Sequence, residues 1–201
     1  LGDRNGSTEV VLVEPNDTSK ENFGVAVDIG TTTIVSYLVN LNSQEILSRK
    51  AAYNPQISFG DDVITRIIYA DNPSGLDLLH HTVIDEINDL IVSHAIENKI
   101  SLNEINCVLC AGNTTMIHLL LKVNPTNIRR SPYIPVAHSF PVIRAIESGV
   151  KINSRGLLAT LPNISAYVGG DIVAGVMASG MSNFSDLTLF IDLVTNGEVV
   201  L

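Results

Sequence analysis

Two phrases of the sequence carry residues that could do chemistry together. "VAVDIGTTTIVSYLV" and, near the other end, "LFIDLVTNGEVVL" each set an aspartate at the close of an apolar run, follow it with hydroxyl and glycine residues, and then resume the apolar pattern. A tight turn through Gly30 presents the backbone N–H groups and hydroxyls of Thr31, Thr32 and Thr33 to one point, which suits phosphate. Asp28 has the wrong charge for phosphate but suits Mg²⁺ or a water on it. Glycine allows the backbone to approach the anion. A hairpin using threonine for its strand propensity would carry the same letters. The second copy, in which Asp192 precedes Thr195, Asn196 and Gly197, weighs against that reading, as do two glycine junctions at Gly112-Asn113 and Gly169-Gly170. All four loops are expected to follow strands, and ligands of open α/β sheets bind at strand ends, so one shared nucleotide cleft is the economical reading.

The elements that must position these loops follow from hydropathy periods. "FGVAVD", "TIVSYLVNL" and "EILSRKAAYN" read as three strands of an antiparallel meander. "DDVITRIIYA" then takes a helical period, with Val63, Ile64, Ile67 and Ile68 on one face and Asp61 and Asp62 in the first turn, where the helix dipole favours anions. Residues 76–98 form a longer helix through Leu79, Val83, Ile87, Leu90, Ile91 and Ile96, and its His80, His81 and His94 read as surface or boundary residues. "INCVLCAGN" is a buried strand running into a glycine turn, and "TTMIHLLLKV" is the helix that starts there. Residues 124–144 carry four prolines and read as an irregular excursion. "AYVGGDIVAGVMASGM" gives a short strand, a glycine turn and a helix of small residues, before the second phrase as a last strand. "EVVLVE", at residues 9–14, reads as a strand before a polar linker. The expected fold is α/β and ribonuclease-H-like: a mixed sheet flanked by helices, plus the start of a second lobe. The expected divisions are 1–22 as linker or end of an upstream region, 23–166 as first lobe, and 167–201 as connecting helix and first strand of a second.

Composition narrows the partners. The 201 residues are 45% hydrophobic, enough for a globular core. Acidic residues outnumber basic ones 21 to 12, for a formal charge of −9, which argues against nucleic acid and anionic membrane surfaces as partners. No run of about 18 apolar residues and no leader-like segment occurs, so the cytoplasm is the expected compartment. Starting at Leu1 and stopping within an apolar alternation, the chain reads as a piece of a longer polypeptide. The strand edge at 198–201 would then be unpaired, and a homodimer is the assembly such an edge allows. The Cys107-x-x-Cys110 spacing permits a zinc or redox site, but no second pair completes one, and two small core residues of a buried strand is the reading preferred.

The two phrases and the glycine-rich helix start between them resemble the phosphate and connecting motifs of the acetate-kinase, sugar-kinase, heat-shock-chaperone and actin superfamily. With "NPQISFGDDVITRI", "AGNTTMIHLLL" and "AYVGGDIVAGVMASGM", they resemble the ATP-dependent reductive activators of corrinoid proteins over most of the chain from Phe23 onward. The resemblance implies a protein that uses ATP to drive reduction of cobalt(II) corrinoid to cobalt(I), with a corrinoid iron-sulfur or corrinoid methyltransferase protein as partner. It also implies a [2Fe–2S] domain upstream, whose four cysteines this chain does not supply. Carried over by position, Asp28 organises Mg²⁺, Gly30, Thr31, Thr32 and Thr33 hold one end of the ATP phosphates, and Asp192, Thr195, Asn196 and Gly197 hold the other. Gly112 and Asn113 line the cleft between them. Asp171, after Gly169 and Gly170, positions metal or attacking water, or is simply a helix N-cap. Val194 departs from the glycine expected at its place, and its β-branched bulk predicts weak nucleotide binding by this chain alone. The alternatives are another enzyme of the superfamily, either a small-molecule kinase or an activator of 2-hydroxyacyl-CoA dehydratases, and a non-catalytic actin-like interaction module.

Overall fold

In the computed structural model, residues 2–4, 7–10, 13, 14, 16–193 and 197–201 are described. In chain order they form strands β1 (Gly2–Arg4), β2 (Ser7–Glu9), β3 (Phe23–Ile29), β4 (Thr33–Asn40) and β5 (Glu45–Tyr53), then helices α1 (Val63–Ala70) and α2 (Gly75–Asn98). Strand β6 (Ile105–Gly112) leads directly into α3 (Thr114–Leu120), followed by β7 (Ile143–Arg144), β8 (Leu157–Thr160), α4 (Gly170–Ser179), β9 (Phe190–Asp192) and β10 (Glu198–Val200). Six strands make one mixed sheet in the order β5-β4-β3-β6-β8-β7. The β3-β4-β5 meander is antiparallel, β6 and β8 run parallel to β3, and β7 returns antiparallel at the edge. This is the mixed, helix-flanked α/β sheet expected.

The core forms because β3 and α2 each turn an apolar face to the other. On β3, Val25, Val27 and Ile29 are buried at period two, with Ile34 and Leu38 joining from β4. Helix α2 supplies Leu79, Val83, Ile87 and Ile91, all without exposed surface, at its 3.6-residue period. Ile96 and Ile68, expected on the buried faces, are instead exposed, because each sits one residue, about 100° round its helix, from the buried Ala95 and Ile67. Asp62 lies just outside α1 and caps it: its carboxylate accepts from the Thr65 N–H at 2.8 Å.

His80 and His94 are not surface residues. His94 is fully buried, and its two ring nitrogens share hydrogen bonds with Ser36 Oγ (2.9 Å) on β4 and Ser48 Oγ (2.6 Å) on β5. Those two hydroxyls satisfy the ring where α2 crosses the sheet, which is why burial is tolerated. His80 is likewise buried and meets the Leu120 carbonyl at 2.9 Å; His81 is exposed. The strand expected at 166–168 is absent. The strand that precedes α4 is β8, nine residues earlier, and a loop lies between them. The strand expected over 9–14 falls partly on undescribed residues, and Val10, Val13 and Glu14 are not in a strand. The excursion is largely irregular, closing on β7 and held to α1 by Arg129, whose Nη2 is 2.9 Å from Asp71 Oδ2. No helix among the described residues is long and apolar enough to cross a membrane.

Candidate functional site

Register brings the chemistry to one end of the sheet. Asp28 pairs with Val35 across β3 and β4, and with Ala111 across β3 and β6, so the 29–33 turn stands level with the β6 terminus at Gly112 and Asn113. Asp28 is out of phase with Val25, Val27 and Ile29, and its side chain leaves the core. Beyond the sheet, β9 and β10 form a two-stranded antiparallel pair in which Asp192 stands opposite Glu198. Phe190 of that pair packs on α4 at Gly175, where a Cβ would come within 2.4 Å of its ring. The result is a cavity of about 210 Å³ lined by Asp28, Gly30, Thr31, Thr32, Thr33, Val35, Asn113, Asp171, Asp192 and Glu198.

The threonine turn is tethered from behind. Gly30 N–H donates to the Thr33 carbonyl at 3.0 Å, and a Cβ on Gly30 would sit 2.6 Å from that oxygen, so glycine is required there. Asn54 Nδ2 donates to the Gly30 carbonyl (2.9 Å), Asn54 N–H to the Thr32 carbonyl (2.8 Å) and Arg66 Nη2 to the Thr31 carbonyl (2.7 Å). In a trans peptide the N–H points opposite to the C=O. With the Gly30 and Thr31 carbonyls turned inward, the Thr31 and Thr32 N–H groups face away from Asn54 and Arg66. Neither N–H donates to any described group.

Four carboxylates face those donors. Burial raises Asp28 to about 6, helped by the charges of Asp171 and Asp192. The side chain is open to water along the cavity, so enclosure by surrounding protein rather than complete desolvation is at work. Asp171 is raised by burial and further by Asp192, while its contact with the Ile172 N–H works in the opposite sense. Glu198 is raised by burial, then by Asp171 and Asp192. Like charges set opposite each other in a ladder are destabilising, as at Asp192 and Glu198. Such a set of hard oxygen donors suits a divalent cation. Among the described residues no three acidic, histidine or cysteine side chains stand close enough to hold one ion together. Mg²⁺, which keeps several waters and takes one or two carboxylates plus phosphate oxygens, fits that spacing.

A protein-family profile described as "RACo middle region" matches residues 23–184. The chain belongs to that family. The curated "Corrinoid activation enzyme RamQ" of Eubacterium limosum is 30% identical to this RACo middle region chain over 195 residues, which take in 96% of the chain and 32% of the relative. The solved structure of a "Reductive activator for corrinoid, iron-sulfur protein" superposes with a TM-score of 0.94 at 44% identity, over 98% of this chain and 32% of that one. The chain therefore spans about a third of the length of either.

Within this RACo middle region the structure gathers Asp28, Gly30, Thr31, Thr32, Thr33, Asn113 and Asp171 around one cavity, with Asp192 joining from beyond the matched stretch. Asp171 is not the N-cap of α4; Gly169 is, and Asp171 sits in the first turn. Gly112, Gly169 and Gly170 lie behind the cavity rather than on its wall. A Cβ on Gly169 would fall 2.4 Å from the Gly112 carbonyl oxygen and 2.6 Å from Asn113 Cα, and one on Gly170 would fall 2.9 Å from Leu161 Cβ. The junction at Gly169 follows a loop, not a strand. Asn113 both lines the cavity and caps α3, accepting from Thr115 N–H at 2.9 Å. Gly197 borders a second, more apolar cavity of about 510 Å³ with Tyr167, Val168, Ile172 and Val199. Val194, Thr195 and Asn196 lie outside the described residues. Cys107 and Cys110 are free thiols on β6; burial raises both, Cys110 to about 12, which suits core residues and not metal ligands. Glu198 closes the Asp192–Glu198 loop expected at the cleft and lines its wall, whereas Asn54 and Arg66, which sit in the quoted "NPQISFGDDVITRI" block, carry no site expectation in the sequence.

Proposed function

We propose that this chain is the phosphate-holding lobe of an ATP-dependent reductive activator that returns a corrinoid protein from cobalt(II) to cobalt(I). The observation that carries the reading is the cavity itself: two undirected N–H donors and three threonine side chains on one wall, four carboxylates around the rest. The two relatives named for corrinoid activation share most of this chain with it, which supports a corrinoid partner of the iron-sulfur or methyltransferase kind. Residues 23–166 act as the first lobe and 167–201 as the start of a second, inside a longer cytoplasmic protein that also carries the [2Fe–2S] cluster; homodimers are the assembly proposed for it.

In this reading Thr31 and Thr32 N–H bind a phosphate oxygen, Thr33 and Gly30 set the turn that aims them, and Asp192, Thr195, Asn196 and Gly197 meet the phosphates from the opposite side. Asp28, with Asp171 or Asp192, would hold Mg²⁺, which would supply charge neutralisation at the phosphates. Asp171, its proton affinity raised by burial, would orient the water whose oxygen bonds to the terminal phosphorus of ATP as that phosphorus parts from the ADP oxygen, and would accept the water's proton. Calorimetry on the longer protein containing this chain tests the reading: MgATP binds, and Asp28→Asn removes the Mg²⁺ dependence. Absence of binding to the unaltered protein with Mg²⁺ present refutes it.

A further inference from the structure

Arg66 is wholly buried on α1, yet forms no salt bridge among the described residues. Its guanidinium is spent on neutral acceptors: Nη2 on the Thr31 carbonyl (2.7 Å), Nε on the Gly60 carbonyl (2.9 Å), and Nη1 near Gln56 Oε1 and Met116 Sδ, both at 3.4 Å. Burial lowers it to about 10, and Asp61 and Asp62 oppose that through space. A buried charge with no carboxylate in contact is expensive. The cavity beyond Thr31 has the converse defect, because four acids line it and no basic side chain does. An anionic ligand entering it meets repulsion from those carboxylates.

We propose that Arg66 is a positioning residue of the threonine turn, whose charge reaches the cavity through the Thr31–Thr32 peptide and is balanced by the anion bound there. Three features support this. The Thr31 carbonyl and Thr32 N–H belong to one planar peptide, so a cation on the carbonyl both aims the N–H outward and polarises it. Asn54 does the same for the preceding peptide without charge, from the Gly30 carbonyl. The fork geometry ties the turn to Gly60 at the foot of α1, a link that lysine's single ammonium cannot reproduce. The inference rests on the phosphate reading of the cavity.

The experiment measures MgATP and MgADP affinity of the longer protein by calorimetry, with thermal melts of each variant. Arg66→Gln and Arg66→Met are expected to bind MgATP on the order of 10- to 100-fold more weakly, as for loss of a charged hydrogen bond. The loss is expected to be greater for MgATP than for MgADP. Arg66→Lys, which keeps the charge, recovers part of it. A second pair of variants retains the arginine: Gln56→Glu sets a neutralising carboxylate beside Nη1 but gives up the Gln56 Nε2 bond to the Leu79 carbonyl (2.8 Å), and Gln56→Met gives up that bond without adding charge, so weaker binding in Gln56→Glu than in Gln56→Met is expected and equal binding in the two overturns the proposal. Wild-type affinity in Arg66→Gln, or equal losses in Arg66→Lys and Arg66→Met at unchanged melting temperature, overturns the proposal. No nucleotide binding by the unaltered protein instead overturns the reading on which it rests.

Discussion

Replacing Asp28 by asparagine should make the ligand-free protein more stable at neutral pH while removing the Mg²⁺ dependence proposed for it. Asp28 is shifted from 3.8 to about 6, by burial first and then by Asp171 and Asp192. A shift of that size corresponds to roughly 3 kcal/mol against the ionised form. Because the side chain is open to water through the cavity, solvent screens much of it, and about 1 kcal/mol remains. The sign follows from proton counting. Between pH 4 and 6 the folded protein holds the proton that the unfolded chain has released, so stability falls as pH rises through this window. The penalty is complete above about pH 6 and absent below the unfolded carboxylate range. Asp28→Asn should therefore raise the melting temperature by about 2–4 °C at pH 7.5 and leave it unchanged near pH 4. Scanning fluorimetry in EDTA at both pH values measures this. A variant less stable than wild type at pH 7.5, or equally stabilised at both values, would refute the idea that the carboxylates repel one another in the empty cleft.

Gly169→Ala should destabilise by about 1–3 kcal/mol in urea denaturation, because its Cβ would strike the Gly112 carbonyl and Asn113 Cα, which are backbone atoms that cannot step aside. His94→Leu should cost about 1–3 kcal/mol by stranding the Ser36 hydroxyl and leaving Ser48 Oγ with Asn98 Nδ2 (2.9 Å) but without the ring, read from the same denaturation curves. Burial lowers His94, so its contribution is present above the ordinary histidine pKa and is lost as pH falls through the folded value; the variant should flatten stability on the acid side of about pH 6.5. Lys50→Ala, which breaks an exposed pair with Glu97, should change stability by less than about 1 kcal/mol, and a larger loss would show that the pair is coupled to the His94 network.

The threonine turn and its aspartate are legible in the sequence because the signal is local: strand, glycine and donors lie within a few residues, and register then carries them to β6. The meander is legible for the same reason. What escapes is long-range. Asn54 and Arg66 look like surface letters until the fold closes on them and their donors meet carbonyls more than 20 residues away. His94 is polar by type but is matched by serines from two strands. Strand β8 is only four residues long and lies between glycine and proline, so its period is too short to read, and the junction at Gly169 was attached to "AYV" instead. Glu198 belongs to the second loop, but its place on the cavity wall comes through pairing with Asp192, a contact set by hairpin register.

The most direct measurement mixes the longer protein containing this chain with a chemical reductant and a cobalt(II) corrinoid protein, and follows cobalt(I) absorbance with and without MgATP. The proposed activator produces cobalt(I) only when MgATP is present, and Asp28→Asn abolishes the change although the protein remains folded. Cobalt(I) forming equally without ATP, or unaffected by Asp28→Asn, would contradict a phosphate site at the threonine turn as the source of the drive.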